Sequence, residues 1–317
     1  MTRSMQCVTV LAGLLALGLP VSAQAQLSRT FVSAALGNDA NDCDRATPCR
    51  TFQAAHDKTN NGGEIAVVDP GGYGAVTITK TISIVNDGVG EASILVSGGV
   101  VGVTINAAAD CSVNLRGITI QGIGFGGGTG LRFNSGRALT IENSVIRNHT
   151  GNGVEFQPNA KSTLALSNTL LADNGGVGLV VVPSGSGAVG VSLSRVEAYN
   201  NSFGGFNVFG TGSTGAVNAT AAECTAANNG GSGFAVVSTA GHAVTNLMVV
   251  RSMAANNATG LIATGGATAT LRVGQSVVTG NTTSWSASSG AILRSYGDNK
   301  IDGNGDGDPG PILLAKK

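Results

Sequence analysis

Charge is scarce in this chain: Asp, Glu, Lys and Arg make up 11% of its 317 residues, and 18 acids cancel 18 bases. With no Lys/Arg stripe, nothing supplies the electrostatic footprint that a phosphate backbone requires, which argues against nucleic acid as a partner. Aromatic residues are also sparse at 4%, with a single Trp, leaving no large platform on which sugar rings could stack. Five cysteines are too few for a scaffold built on disulfides. Beyond the apolar run Val8–Leu19, itself too short to span a bilayer, no segment could cross a membrane as a helix.

What is present is small residues in register. Glycine fills 49 positions, with much Ala, Ser, Thr, Val and Asn, yet 42% of the chain is hydrophobic, too much for disorder. Between Leu139 and Trp285 the sequence repeats about every 26 residues, so that LTIENSVIRNHTGNGVEF, LALSNTLLADNGGVGLVV and four later segments superpose their apolar, Asn and Gly positions. The equivalent residues Asn143, Asn168, Arg195, Glu223, Arg251 and Gln275 lie 25, 27, 28, 28 and 24 residues apart. Such a period marks a solenoid, in which no unit buries its apolar face alone and stacking supplies one continuous core. Leu139 and Ile141, Leu164 and Leu166, Val191 and Leu193 alternate as a first strand in each repeat. Val154 and Phe156, Leu179 and Val181, Phe206 and Val208 mark another after the glycine. Two or three short strands per turn, stacked only on neighbouring coils, predict an all-β parallel β-helix.

Residues 1–25 read as a signal peptide, with Arg3, the short apolar run and small residues up to Ala25, where cleavage is expected. The mature product is therefore expected to be secreted, periplasmic or held at the cell surface. Residues 26–63 form an N-terminal segment, irregular to about residue 47 and then a short capping helix from Pro48 to Thr59, with Asn60-Asn61-Gly62-Gly63 as its stop. The β-helix is assigned to 64–305 and a C-terminal tail to 306–317. Cys43 and Cys49, close together in an oxidising compartment, predict a disulfide. Cys111 and Cys224, roughly 19 Å apart if coils stack at strand spacing, are read as buried small residues.

The runs Pro48-Cys-Arg-Thr-Phe-Gln-Ala-Ala-His, Gly62-Gly-Glu-Ile-Ala-Val-Val-Asp-Pro-Gly-Gly-Tyr and Val76-Thr-Ile-Thr-Lys-Thr-Ile-Ser-Ile resemble the opening of the secreted right-handed parallel β-helix, or pectate-lyase-like, superfamily. With the Asn-bearing coils, the resemblance spans roughly 48–305 and implies a right-handed helix. It implies no single activity, because that superfamily mixes polysaccharide lyases, hydrolases and epimerases with binding and structural members. Of the motifs of polygalacturonase-like hydrolases only Gly241-His242-Ala243 comes near a match. Asp69-Pro70 lacks the His-Asp that follows in alginate epimerases. The central coils hold too few acids for the calcium cluster of pectate lyases.

Arg195, Glu223 and Arg251 fall at one position on consecutive coils, roughly 5 Å apart, as a ridge that could hold an acidic sugar or stand as a solvated ion ladder. Glu197 has Val145, Leu170, Met253 and Val277 as counterparts. Turned inward, its carboxyl would have a raised pKa and could act with Glu223 as an acid/base pair; a local slip placing Val196 inward is the simpler account. His56 fits the cap helix, while His149 and His242 fall in turns as solvated or satisfied loop residues. Asn148, Asn174, Asn201, Asn229, Asn257 and Asn281 recur at a bend and are expected to bond coil to coil. Asp302, Asn304, Asp306 and Asp308 match the first ligands of a calcium loop, although Leu313 stands where its closing Glu belongs; calcium is the one cofactor suggested, with a polar turn capping the last coil as the alternative. The glycine run 122–130 lacks the Asp of calcium-binding repeats and the Lys-Ser/Thr of a phosphate loop.

The expected protein is an exported, non-catalytic binding or structural module, with polysaccharide or another cell-surface component as its partner. The alternatives are a lyase, hydrolase or epimerase with a diverged site around Glu197 and Glu223, and an adhesin-like passenger held by another protein.

Overall fold

Three parallel strands per coil, each hydrogen-bonded to its equivalent one coil away, build the computed structural model, which describes residues 27–315. The signal peptide assigned to residues 1–25 lies outside them. The first two strand columns merge into a 19-stranded sheet because Ser162–Ala172 and Val189–Tyr199 run unbroken through the corner between them. The third column is a separate nine-stranded sheet, from Val76–Ile78 to Thr283–Ala287. No helix among the described residues is long and apolar enough to cross a membrane.

Alternation decides which side chains enter the core. Leu139, Leu164, Val191, Ala219, Leu247, Leu271 and Leu293 pair coil to coil on the inner face of the first column, and all are buried. In the third column Phe133 stacks on Phe156 at 4.6 Å and Phe206 on Phe234 at 5.1 Å between centroids. Each such pair contributes about 0.5–1.5 kcal/mol beyond the burial of its rings.

Three interior columns of small or polar residues hold the corners. At the first corner, Cys224 N–H donates to Ser252 Oγ at 3.0 Å and Ser252 N–H to Ser276 Oγ at 3.1 Å. Cys224 takes a hydroxyl's place there, with its Sγ directed at Ala222 O and its thiol pKa pushed up to about 11 by burial. At the second corner runs the buried Asn column Asn174, Asn201, Asn229, Asn257, Asn281, extended by Asn304. Beside it Gly153, Gly178, Gly205, Gly233 and Gly260 let the backbones close: a Cβ at Gly205 would lie 2.8 Å from Gly233 O and 2.9 Å from Ala226 Cβ. Gly205→Ala is therefore expected to destabilise the fold by about 1–3 kcal/mol, read as a lowered urea midpoint; a variant as stable as the parent would mean that the coils can move apart without cost.

Both ends are covered. Strand β1 (Leu27–Val32) pairs with β2 (Thr59–Val67), and its outer edge is closed by the Cys43–Cys49 disulfide loop through Phe31 N–H to Cys43 O and Cys49 N–H to Phe31 O. Helix α1 (Phe52–Lys58) lies over the first coil with Phe52, Ala55 and His56 buried. At the other end Ser295 pairs with the tail around Leu313, and Trp285 Nε1 donates to Pro309 O at 2.6 Å.

Several boundaries differ from the sequence reading. The solenoid begins at Leu27 rather than 64, because Thr30 and Val32 turn inward from a polar stretch that reads as irregular, and Thr30 Oγ1 is bonded to Thr59 Oγ1 at 2.8 Å. The helix is shorter than 48–59: Thr51, whose Oγ1 accepts from Ala54 N–H, is its cap, not Pro48. Asn60 to Gly63 follows the helix end at Lys58, as expected of a stop, but lies within β2, as an irregularity in its pairing with β1: Leu27 pairs with Thr59 and Arg29 with Glu64. Asn148 is not in the Asn column; it has φ of 62° at the outer corner, and the buried His149 occupies the interior position.

Candidate functional site

The corner between first and second strands needs a residue in the left-handed region, and Gly117 supplies it at φ 70°. Later coils place Asn143, Asn168, Arg195, Glu223, Arg251 and Gln275 there, with φ between 47° and 57°. Asn tolerates this conformation best; for Arg and Glu it is uncommon. These side chains stand exposed on the ridge that the repeat implies. Glu223 is bridged by Arg195 at 3.6 Å and Arg251 at 3.4 Å, with 45%, 57% and 55% of the three side chains exposed. Arg195 Nε also donates to Asn168 Oδ1 at 2.7 Å. The ridge neutralises most of its own charge, and at this exposure each pair contributes about 0–1 kcal/mol.

Glu197 is in register with Leu170 and Thr225, as the repeat implies, but that column points outward. The inward reading of Glu197 is therefore wrong; Val196 does turn inward, as the simpler account had it, but without a slip in register, because the left-handed residue at 195 turns the chain so that Val196 and Ala198 are buried and Glu197 is exposed in regular order. Glu197 instead lines a surface depression of about 470 Å³ with Asn143, Val145, Asn168, Leu170 and Arg195. Glu223 does not line it, so the proposed acid/base partner is on the ridge, clamped between arginines.

The residues that sequence reading passed over are Arg272 and Arg294. They are direct partners on adjacent coils, in the outward column whose last members are Ser192, Thr220, Met248, Arg272 and Arg294; its one carboxylate, Glu64, lies at the N-terminal end of the solenoid. Both are half-buried. Arg272 Nη1 donates to Asn246 Oδ1 at 3.2 Å, and neither has an ion pair among the described residues. Strand spacing puts the pair about 4.8 Å apart at the backbone and about 10 Å along the strand from the corner position of Arg251. The 26-residue alignment stops before Arg294, and only the last coil's register exposes the pairing.

His56 bonds Asp57 Oδ1 through Nδ1 at 2.9 Å and receives Thr79 N–H at Nε2, which ties the cap helix to the first coil. His242 is exposed. His149 is fully buried, which rules out the solvated of its two readings, and its N–H and Nε2 have partners while Nδ1 has none. In the tail, Asn304 ends the Asn column, Asp306 accepts from Ser284 N–H and Oγ, and Asp308 accepts from Gly303 N–H and from both nitrogens of Asn304. The bonds from Asn304 hold the Asp308 carboxyl below its usual range. Asp302 is exposed. A calcium ion here would have to displace several N–H donors, so these residues fit a capping turn better than a metal loop; among the described residues no three His, Cys, Asp or Glu side chains gather as ligands.

The chain belongs to the family described as right handed beta helix region, which matches residues 101–273, more than half of it. Among solved structures it is similar to the pectate lyase Pel9A, at 17% identity and TM-score 0.59 over 92% of this chain and 80% of that one. It is also similar to the A-module of the Azotobacter vinelandii mannuronan C-5 epimerase AlgE6, at 19% and 0.62 over 80% and 72%. A third is the alginate lyase of Paenibacillus sp. str. FPU-7, at 14% and 0.53 over 86% and 99%. At these identities the likeness is one of fold. No curated protein matches the chain.

Proposed function

We propose that this is an exported, non-catalytic β-helix module that binds acidic polysaccharide along the outward face of its C-terminal coils. The observation that carries the reading is the Arg272–Arg294 pair, two guanidinium groups in register on a strand face whose column, from Ser83 onward, has no acid beside them. Planar forks at coil spacing suit carboxylates displayed along an extended polymer. The ridge adds Arg195 and Arg251 at its edge, with Glu223 spacing them. Structural neighbours named for pectate, mannuronan and alginate support a polysaccharide ligand. The leader-like N-terminus and the Cys43–Cys49 disulfide support export.

Binding is favoured over catalysis by the state of the acids. Glu223 is held between two arginines, and Glu197 lies exposed in a depression that no second carboxylate lines. The depression that joins Arg195 and Glu197 is the one feature favouring a diverged lyase or hydrolase.

Native electrophoresis through gels containing pectate, alginate or a neutral glucan, incubated and stained for remaining polymer, separates these readings. Retardation by the acidic polymers without clearing is the expected result. Clearing would put the enzyme first, whereas neither effect would leave a structural or adhesin-like role.

A further inference from the structure

The loop from Gly122 to Gly130 closes over a single buried imidazole. In the Asn column each side chain has fixed duties: its Nδ2 donates to a carbonyl in the preceding coil, such as Leu171 O for Asn201 and Ala198 O for Asn229, and its Oδ1 receives N–H groups from the preceding column member. His149 is the first member. Its N–H reaches Asn174 Oδ1 and its Nε2 lies 3.3 Å from Ile120 O. A carbonyl oxygen only accepts, so Nε2 carries the hydrogen and Nδ1 is a bare acceptor. One coil earlier the chain leaves the column path in the 3-10 turn Ile123–Phe125, so no column N–H meets Nδ1. Among the described residues Nδ1 is the one buried side-chain nitrogen or oxygen without a hydrogen-bond partner.

The loop returns at Gly127, which bridges to His149. A Cβ at Gly127 would lie 3.1 Å from Nδ1, and one at Gly130 would lie 2.9 Å from Nε2, so the glycines let the backbone close on the ring. The closure is held by Thr150 N–H and Oγ1, both 2.7 Å from Gly127 O, and by Gly151 N–H to Gly128 O at 3.1 Å. Residues 118–130 carry no titratable group. On neighbouring elements Arg147 turns to Gln121, Asp173 accepts from Asn200, and Arg132 pairs with Glu155.

We propose that His149 is an acid-operated catch: neutral, it seats the 122–130 loop, and protonated, it releases the loop from Thr150 and Gly151 while the solenoid stays folded. Protonation would put an N–H at Nδ1, which has no hydrogen-bond partner, and a charge on a ring with no exposed surface. Burial holds the imidazole below its ordinary 6.5. The closed form therefore binds fewer protons than the open one as pH falls below that value, and closure is favoured above it and weakened beneath it.

Amide hydrogen exchange on the full protein, corrected for intrinsic rates, tests this at about pH 7.5 and about pH 5. Protection at Thr150 and Gly151 should fall by about tenfold or more on acidification, while Asn229 in mid-column keeps its protection. His149→Asn, which retains a donor for Ile120 O, should remove the pH effect. An equal fall in H149N, or none in the parent, overturns the proposal. Should H149N not fold, NMR titration of the parent imidazole decides: a value at or above the ordinary one overturns it.

Discussion

Asn229→Ala is expected to lower stability by about 3–5 kcal/mol. Asn229 sits in mid-column and makes four side-chain bonds: Nδ2 donates to Ala198 O at 3.1 Å and Asn257 Oδ1 at 2.9 Å, and Oδ1 receives Asn201 N–H and Nδ2 at 3.0 Å each. Truncation leaves the Asn201 N–H buried without its acceptor and removes the amide donor from the Ala198 carbonyl. Solenoid stability is a chain of nearest-neighbour terms, so weakening one interface should also divide the cooperative transition. A urea melt followed by circular dichroism should show a lower midpoint and a broader or two-stage transition. Asn229→Asp is the isosteric comparison; it should be worse than Ala at neutral pH, where a charge is buried, and recover in part when acid protonates it. An Ala variant that melts with the parent would mean that the column contributes register but no stability.

The repeat made the architecture legible because stacking forces each inward position to recur. Leu164, Val191 and Leu247 could be assigned to the core from alternation alone, and all are buried. The start of the solenoid was not legible, since Thr30 and Thr59 satisfy each other inside and a polar strand looks like a loop until its partner is known. Nor was the exact interior Asn: Asn148 and His149 are adjacent, and only the hydrogen bond from His149 to Asn174 decides which enters.

Site residues were legible in position and not in state. Spacing brought Arg195, Glu223 and Arg251 into one column, as the structure has them, and left a sugar site and a solvated ion ladder both open, of which the structure has the two ion pairs. Glu197 was misread because its counterparts are aliphatic, and Val145, Leu170 and Val277 are partly exposed rather than core. Hydrophobicity marks an inward column only when the corner geometry is known, and here a left-handed residue reverses the phase of the strand that follows. Arg272 and Arg294 were invisible for the opposite reason: no repeat aligned the last coil.

Charge reversal of that pair, Arg272→Glu with Arg294→Glu, is expected to weaken retention by acidic polysaccharide by about a hundredfold or more, since two charge-assisted contacts of about 1.5–3 kcal/mol each are replaced by repulsion. Folding should change by less than about 1 kcal/mol, because both side chains face outward and Arg272 gives up one bond, to Asn246. Arg195→Ala and Arg251→Ala should weaken retention far less, as Glu223 already engages both arginines. Arg272→Lys with Arg294→Lys separates charge from shape: an intermediate loss would assign the remainder to the guanidinium fork. Retention by the parent should decline with added salt, and the reversed pair should show a shallower decline. Affinity electrophoresis of the parent and these variants measures all of this together, and unchanged retention of the reversed pair would move the binding face away from the C-terminal coils and back to the Arg195–Glu197 depression.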